Sequence, residues 1–285
     1  MPAGYILSHL FFSAICLIVA FRLPPRSRAG YVLGGALLVM LIGGFAVEHR
    51  QSWAWAAMRV PGSDLVFLTN LFLEGTVVLC ALLWRSALER KARWRAGVLS
   101  VVLLGASLGS YAWYFGPTPA PLTGSVDRNG FCPQTTHDSC SAASATMLLA
   151  WHHVPTTEAE MAELCLTRSG HGTTPLGLYR GLTLRAASHG LCVRLISISK
   201  PSEIRKSDCP CILSVGLKSG CPTEVNDRMI SYGWEPGLQH TVVIMDADPA
   251  GQWVDVADPT NGKERWSTAD LRYLWDGYAL ILVAR

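Results

Sequence analysis

The chain has 285 residues, half of them hydrophobic and 16% charged, with a formal net charge of +3. The basic excess sits in the first 116 residues, which hold ten Lys/Arg against four Asp/Glu, while the remainder holds fourteen against seventeen. That split gives no support to a nucleic-acid-binding face, and the absence of a Gly-x-x-x-x-Gly-Lys-Ser/Thr loop argues against a nucleotide partner.

Four apolar stretches come first, at 4–21, 31–47, 65–84 and 96–115, each of 17 to 20 residues. A helix of that length crosses a ~30 Å hydrocarbon core, so residues 1–115 are expected to form a four-helix transmembrane region. The first stretch lacks a basic leader, and Arg22-Leu23-Pro24-Pro25-Arg26 is a poor cleavage site, so it reads as a retained span and not a signal peptide. Arg22, Arg26 and Arg28 follow the first stretch, and Arg85, Arg90, Lys91, Arg93 and Arg95 follow the third; the middle connection has only Arg50 and Arg59. Basic short loops stay in the cytoplasm. The expected location is therefore a bacterial inner (cytoplasmic) membrane, with the N-terminus and the C-terminal domain both extracytoplasmic. Glu74, with Asn70 one turn earlier, lies inside the third stretch. A Glu hydrogen-bonded within the bundle is the plain reading, and a small transport or sensor unit is the functional one.

Residues 116–126, beginning Gly-Pro-Thr-Pro-Ala-Pro, are expected to be a stiff, extended linker that lifts the next domain off the membrane. Residues 127–285 suit one compact domain. Its first half reads as helices at 141–153, 157–165 and 177–189, the second opened by the capped start Thr156-Thr157-Glu158-Ala159-Glu160 and the third ended by Gly190. Its second half reads as strands at 192–197, 211–215, 241–246, 253–256 and 278–283. Helices packed first and an antiparallel sheet second make an α+β fold.

The chemistry begins with Gln134 and Cys140. A cysteine at the start of a helix sits where the helix dipole favours the thiolate, its nucleophilic form. A glutamine amide just upstream can donate to the oxyanion formed when that thiolate attacks a carbonyl, which is how a papain-like thiol enzyme is built. His240 opens the apolar run Thr241-Val242-Val243-Ile244-Met245, and Asp258 ends the next predicted strand. Two antiparallel strands joined by the turn at 248–251 would bring His240 and Asp258 side by side, so that the carboxylate fixes the imidazole tautomer and the imidazole takes the thiol proton. His189, at a helix end before Gly190, reads as a C-terminal cap, and His137, His152, His153 and His171 as helix-flanking or loop positions.

Nine cysteines occur, of which Cys16 and Cys80 fall in the apolar stretches. With Cys140 set aside as nucleophile, Cys132, Cys165, Cys192, Cys209, Cys211 and Cys221 form an even set, which in an oxidising compartment suggests up to three disulfides. Cys209 and Cys211, two residues apart, are each expected to pair elsewhere. A zinc site from Cys209, Cys211 and Cys221 is the competing reading, weakened by the lack of a second close ligand pair. The chemistry requires no metal or organic cofactor.

These residues resemble the bacteriocin-processing, double-glycine cysteine peptidases, family thirty-nine of the cysteine peptidases in the papain-like clan. Gln134 and Cys140 match the family's opening element, and 177–190 its second helix. His240-Thr241-Val242-Val243-Ile244 matches the histidine strand, Asp258-Pro259-Thr260-Asn261-Gly262 the aspartate turn, and 275–282 the closing strand. The resemblance implies a thiol peptidase with a peptide or protein substrate. The family usually has Gly-Pro after the nucleophile, where this chain has Ser141-Ala142. Well-known members cut leader peptides in the cytoplasm, fused to an export ATPase, so a separate transporter or envelope protein is left open as partner. Two rivals keep the same cleft: an amidase or transglutaminase-like acyl transferase at the envelope, and a non-catalytic peptide-binding module.

Overall fold

The computed structural model describes residues 116–285 continuously, together with residues 80, 81, 84, 91, 93–98, 100–102 and 105, which are helical. Most of the expected membrane region, including Asn70 and Glu74, lies outside the described residues. Among the described residues, no helix is long and apolar enough to cross a membrane. By its internal contacts the chain divides into two units, and Gly116–Arg285 belong to the second.

Three helices lead this unit. α1 (Cys140–Trp151) is buried continuously from Ser141 to Leu149, because its residues are small or apolar on every side instead of along one stripe. α2 (Glu158–Leu164) starts at Thr157, whose hydroxyl accepts the Glu160 N–H at 3.2 Å. α3 (Pro175–Ala187) has Thr174 as its N-cap and proline in its first turn. Gly181 lets α3 press on the end of α2, since a Cβ there would stand 2.9 Å from the backbone nitrogen of Cys165.

The rest of the domain alternates strands with two short helices. These are β1 (Leu191–Ser197), β2 (Cys211–Gly216), α4 (Thr223–Ser231), β3 (Gln239–Ala247), β4 (Trp253–Asp258), β5 (Gly262–Ser267), α5 (Thr268–Leu274) and β6 (Trp275–Ala284). The six strands form one antiparallel sheet in the order β1-β6-β2-β3-β4-β5. The last strand thus inserts between the first two. β3 is buried from Thr241 to Ile244 and has Val215 of β2 opposite His240. β3 and β4 form the expected hairpin with Val243 opposite Ala257, which leaves His240 and Asp258 at the same end of it. α1 lies across this centre: the Ser144 hydroxyl donates to the Thr241 carbonyl at 3.0 Å, and the Ser141 and Thr241 hydroxyls are 2.8 Å apart. Small side chains let the helix come that close, and the hydroxyls satisfy one another in the process.

The structure departs from the sequence expectations in three places. First, α4, β5 and α5 are additional elements. α4 buries only Val225 and Met229, and β5 is an edge strand that buries only Trp266, so neither carries much periodic signal. Second, the segment expected to stand off as a linker runs along the domain. Ser169 N–H donates to the Pro117 carbonyl at 3.0 Å, and the Glu158 N–H donates to the Gly124 carbonyl at 3.1 Å. Third, the expected disulfides are absent: Cys132, Cys165, Cys192, Cys209, Cys211 and Cys221 are all free thiols. Burial pushes the Cys132 and Cys165 thiols up to about 12, so both are neutral core side chains. Cys192 pairs across to Val283 and Cys211 to Ile244, on separate strands. Contrary to expectation, the thiols of Cys209 and Cys211 lie together, and their mutual hydrogen bond with burial holds Cys211 well above its ordinary value. Among the described residues no three ligating side chains gather into a cluster able to hold a metal, so the Cys209, Cys211 and Cys221 grouping does not form.

Candidate active site

Cys140 is the first residue of α1, and its thiol opens into a cleft of about 680 Å³ that is also lined by Gln134, His240, Trp234 and Thr241. The preceding Ser139 is the N-cap by position but does not cap the helix. Its hydroxyl is turned back into the loop, donating to the Thr136 carbonyl at 2.9 Å and accepting the Thr136 N–H at 3.1 Å. No acidic residue occupies the first turn. The N–H groups and positive dipole end of α1 are therefore left for whatever charge sits on Cys140.

The imidazole of His240 faces the thiol from the start of β3, within hydrogen-bonding reach of it. Its Nε2 lies 2.7 Å from Asp258 Oδ1, and the Asp258 side chain is fully buried. Two further donors hold the carboxylate: the Thr260 N–H on Oδ1 at 2.9 Å and the Trp234 indole N–H on Oδ2 at 3.0 Å. Trp234 also covers His240, with ring centroids 4.9 Å apart and a tilt of 58°. It is the site residue that sequence reasoning missed. It sits in a Gly-rich loop six residues before His240, and the only hint is that a buried indole needs an acceptor for its N–H.

Burial opposes charge on all three groups, and their mutual contacts overcome it. Desolvation alone would raise the Cys140 thiol, but the hydrogen bond and charge of His240, with the Thr241 N–H and Ser141 hydroxyl, hold it below its ordinary value. Desolvation alone would lower His240, but hydrogen bonds to Asp258 and Cys140 push it up to about 10. Desolvation would raise Asp258, and the His240 hydrogen bond and charge keep it below the usual carboxylate range. The contacts thus shift Cys140 and His240 together toward a thiolate facing an imidazolium that is backed by a carboxylate.

Gln134 lines the same cleft from the loop before α1, with its backbone N–H donating to the Pro259 carbonyl at 3.0 Å. Its Oε1 is buried and has no hydrogen-bond partner among the described residues. The other histidines lie elsewhere in role. His189 caps the end of α3 with Nδ1 3.3 Å from the Arg185 carbonyl, His137 lines the cleft as an exposed partner of Glu235 at 3.4 Å, and His171 lines it from a loop with Nδ1 3.1 Å from the Ser169 carbonyl.

Leading helices, an antiparallel sheet and a thiol at a helix start opposite a sheet histidine define the class: a papain-like α+β cysteine peptidase, a hydrolase. The Peptidase C39 family model matches residues 128–285, more than half of the chain, and the chain belongs to that family. No curated protein matches it significantly. Among solved structures, it is similar to a double-glycine-motif protease from an AMS/PCAT transporter solved in complex with the leader peptide (19% identity, TM-score 0.40, covering 60% of this chain and 95% of that one). It is similar to the peptidase domain of Streptococcus ComA, a bifunctional ABC transporter of a quorum-sensing pathway (21% identity, TM-score 0.41, 54% and 96%). The N-terminal peptidase C39-like domain of a toxin secretion ATP-binding protein from Vibrio parahaemolyticus is a third (15% identity, TM-score 0.37, 53% and 100%).

Proposed function

We propose that the chain is a membrane-anchored peptidase that cleaves peptide bonds with Cys140, His240, Asp258 and Gln134. The observation that carries this is that Cys140, His240 and Gln134, from a helix start, a strand start and a loop, line one cleft, with Asp258 buried behind His240 at 2.7 Å. The Cys140 thiolate adds to the peptide carbonyl, forming an S–C bond while the carbonyl π electrons move to oxygen. The Gln134 amide and the Cys140 backbone N–H, which has no intrahelical acceptor, donate to that oxyanion. His240 gives its proton to the amine as the C–N bond breaks. It then takes a proton from water as the thioester is hydrolysed and the thiolate returns. Asp258 keeps the imidazole oriented throughout. The Ser141-Ala142 pair after the nucleophile suits this packing, since the Ser141 hydroxyl is paired with Thr241.

Membrane anchoring and the extracytoplasmic placement of the domain rest on the four apolar stretches and on the basic connections at 22–28 and 85–95. Labelling of intact cells with a membrane-impermeant thiol-directed activity probe tests both parts. Signal in the wild type, lost in Cys140→Ala and in His240→Ala, supports the reading. Equal labelling in His240→Ala removes the catalytic pair, and labelling only after lysis reverses the topology.

A further inference from the structure

The oxyanion donor of the proposed reaction is held in an unusual way. Because Gln134 Oε1 has no hydrogen-bond partner among the described residues, the amide is aimed by the placement of its own backbone. That backbone is pinned on both sides. The Gln134 N–H donates to the carbonyl of Pro259, next to Asp258. The following N–H, of Thr135, donates to Glu158 Oε1 at 2.8 Å, and the Thr135 hydroxyl to Glu158 Oε2 at 2.6 Å. Glu158 is fully buried at the start of α2, a costly place for a carboxylate unless donors converge on it.

A third donor does converge, and it comes from the segment leading in from the preceding unit. The Gly124 N–H donates to Glu158 Oε2 at 2.9 Å, and the Glu158 N–H returns a bond to the Gly124 carbonyl at 3.1 Å. Gly124 is buried with no room for a side chain: a Cβ there would stand 2.5 Å from Glu158 Oε2 and 2.8 Å from the Pro133 carbonyl, one residue before Gln134. The strap at 117–124 and the oxyanion loop thus share one carboxylate.

We propose that Glu158 is a positioning residue for the reaction: it sets the Gln134 amide at the oxyanion position, and it does so only while the strap is docked on it. This rests on the role assigned to Gln134 above. Glu158→Gln keeps one oxygen for Thr135 but turns an NH2 toward the strap, so the Gly124 N–H loses its acceptor and the clasp opens. Displacing a transition-state donor by a fraction of an ångström lowers kcat without weakening substrate binding.

The experiment uses the full chain and the p-nitrophenyl ester of acetyl-Gly-Gly, with iodoacetamide alkylation of Cys140 as a parallel readout. Alkylation needs the thiolate but forms no oxyanion. In Glu158→Gln, kcat falls about tenfold, KM is unchanged and the alkylation rate is unchanged. Gly124→Ala and the gentler Thr135→Val act in the same direction. In the Gln134→Ala background, Glu158→Gln costs nothing more. A loss that adds fully to that of Gln134→Ala, or an equal fall in alkylation, makes Glu158 a merely structural residue and overturns the proposal. If Gln134→Ala alone leaves kcat intact, or the wild type does not turn over the ester, the proposed function itself fails and this inference with it.

Discussion

Replacing Asp258 by Asn tests whether the buried carboxylate holds His240 in its charged form. The carboxylate accepts hydrogen bonds from His240 Nε2 at 2.7 Å, the Thr260 N–H at 2.9 Å and the Trp234 indole N–H at 3.0 Å. Asparagine keeps the shape and one oxygen, but it removes the charge and sets an NH2 against one of those donors. A hydrogen bond to a charged group is worth ~1.5–3 kcal/mol. At ~1.4 kcal/mol per tenfold, the thiolate–imidazolium pair weakens ~10- to 100-fold. His240, pushed up to about 10 in the wild type, then falls toward the ordinary imidazole range. The readout is kcat/KM for ester hydrolysis across the neutral and alkaline range, with the alkylation rate of Cys140 alongside. The alkaline limb should move to lower pH, and the rate in mildly alkaline buffer should drop ~10-fold or more. A variant with the wild-type rate and an unmoved alkaline limb would refute the electrostatic argument. A lowered melting temperature with an unmoved limb would leave Asp258 a structural residue only.

Three other outcomes follow from the same geometry. The wild-type activity should need Cys140 deprotonated and His240 protonated, so it is lost as pH falls through the lowered thiol value and lost again as pH rises through about 10; a pH–rate profile with a single ionisation contradicts the pair. Trp234→Phe keeps a ring against His240 but leaves Asp258 Oδ2 without its donor, costing ~1–3 kcal/mol of stability; an unchanged denaturation midpoint and kcat would show that the indole N–H does nothing. Unfolding the purified chain without reductant should let alkylation reach Cys132, Cys165, Cys192, Cys209, Cys211 and Cys221, as counted by mass; masses short by pairs of labels would restore the disulfide reading.

What the sequence by itself determined is local. The run Thr241 to Ile244 is apolar and β-branched enough to be a buried strand wherever it goes, and it emerges buried in β3. The chain between Ala247 and Trp253 carries its own turn residues, so the β3–β4 hairpin was legible, and with it the shared end of His240 and Asp258. Cys140 at the head of an Ala- and Leu-rich stretch was legible as a helix start for the same reason.

Tertiary structure alone decided what depends on contacts far apart in the chain. β6 pairs with β1 and β2, from residues 60 to 93 positions away (Val215 with Trp275, Leu191 with Ala284), and no local pattern encodes which strands will neighbour it. Trp234 meets Asp258 and Glu158 meets Gly124 and Thr135 only once α2, the strap and the sheet have packed. An even count of cysteines reads as a disulfide framework, yet Cys132 and Cys165 serve as small apolar fillers. Composition cannot separate those outcomes, because a thiol packs like a hydrophobe and oxidises like a cross-link, and only its neighbours decide which.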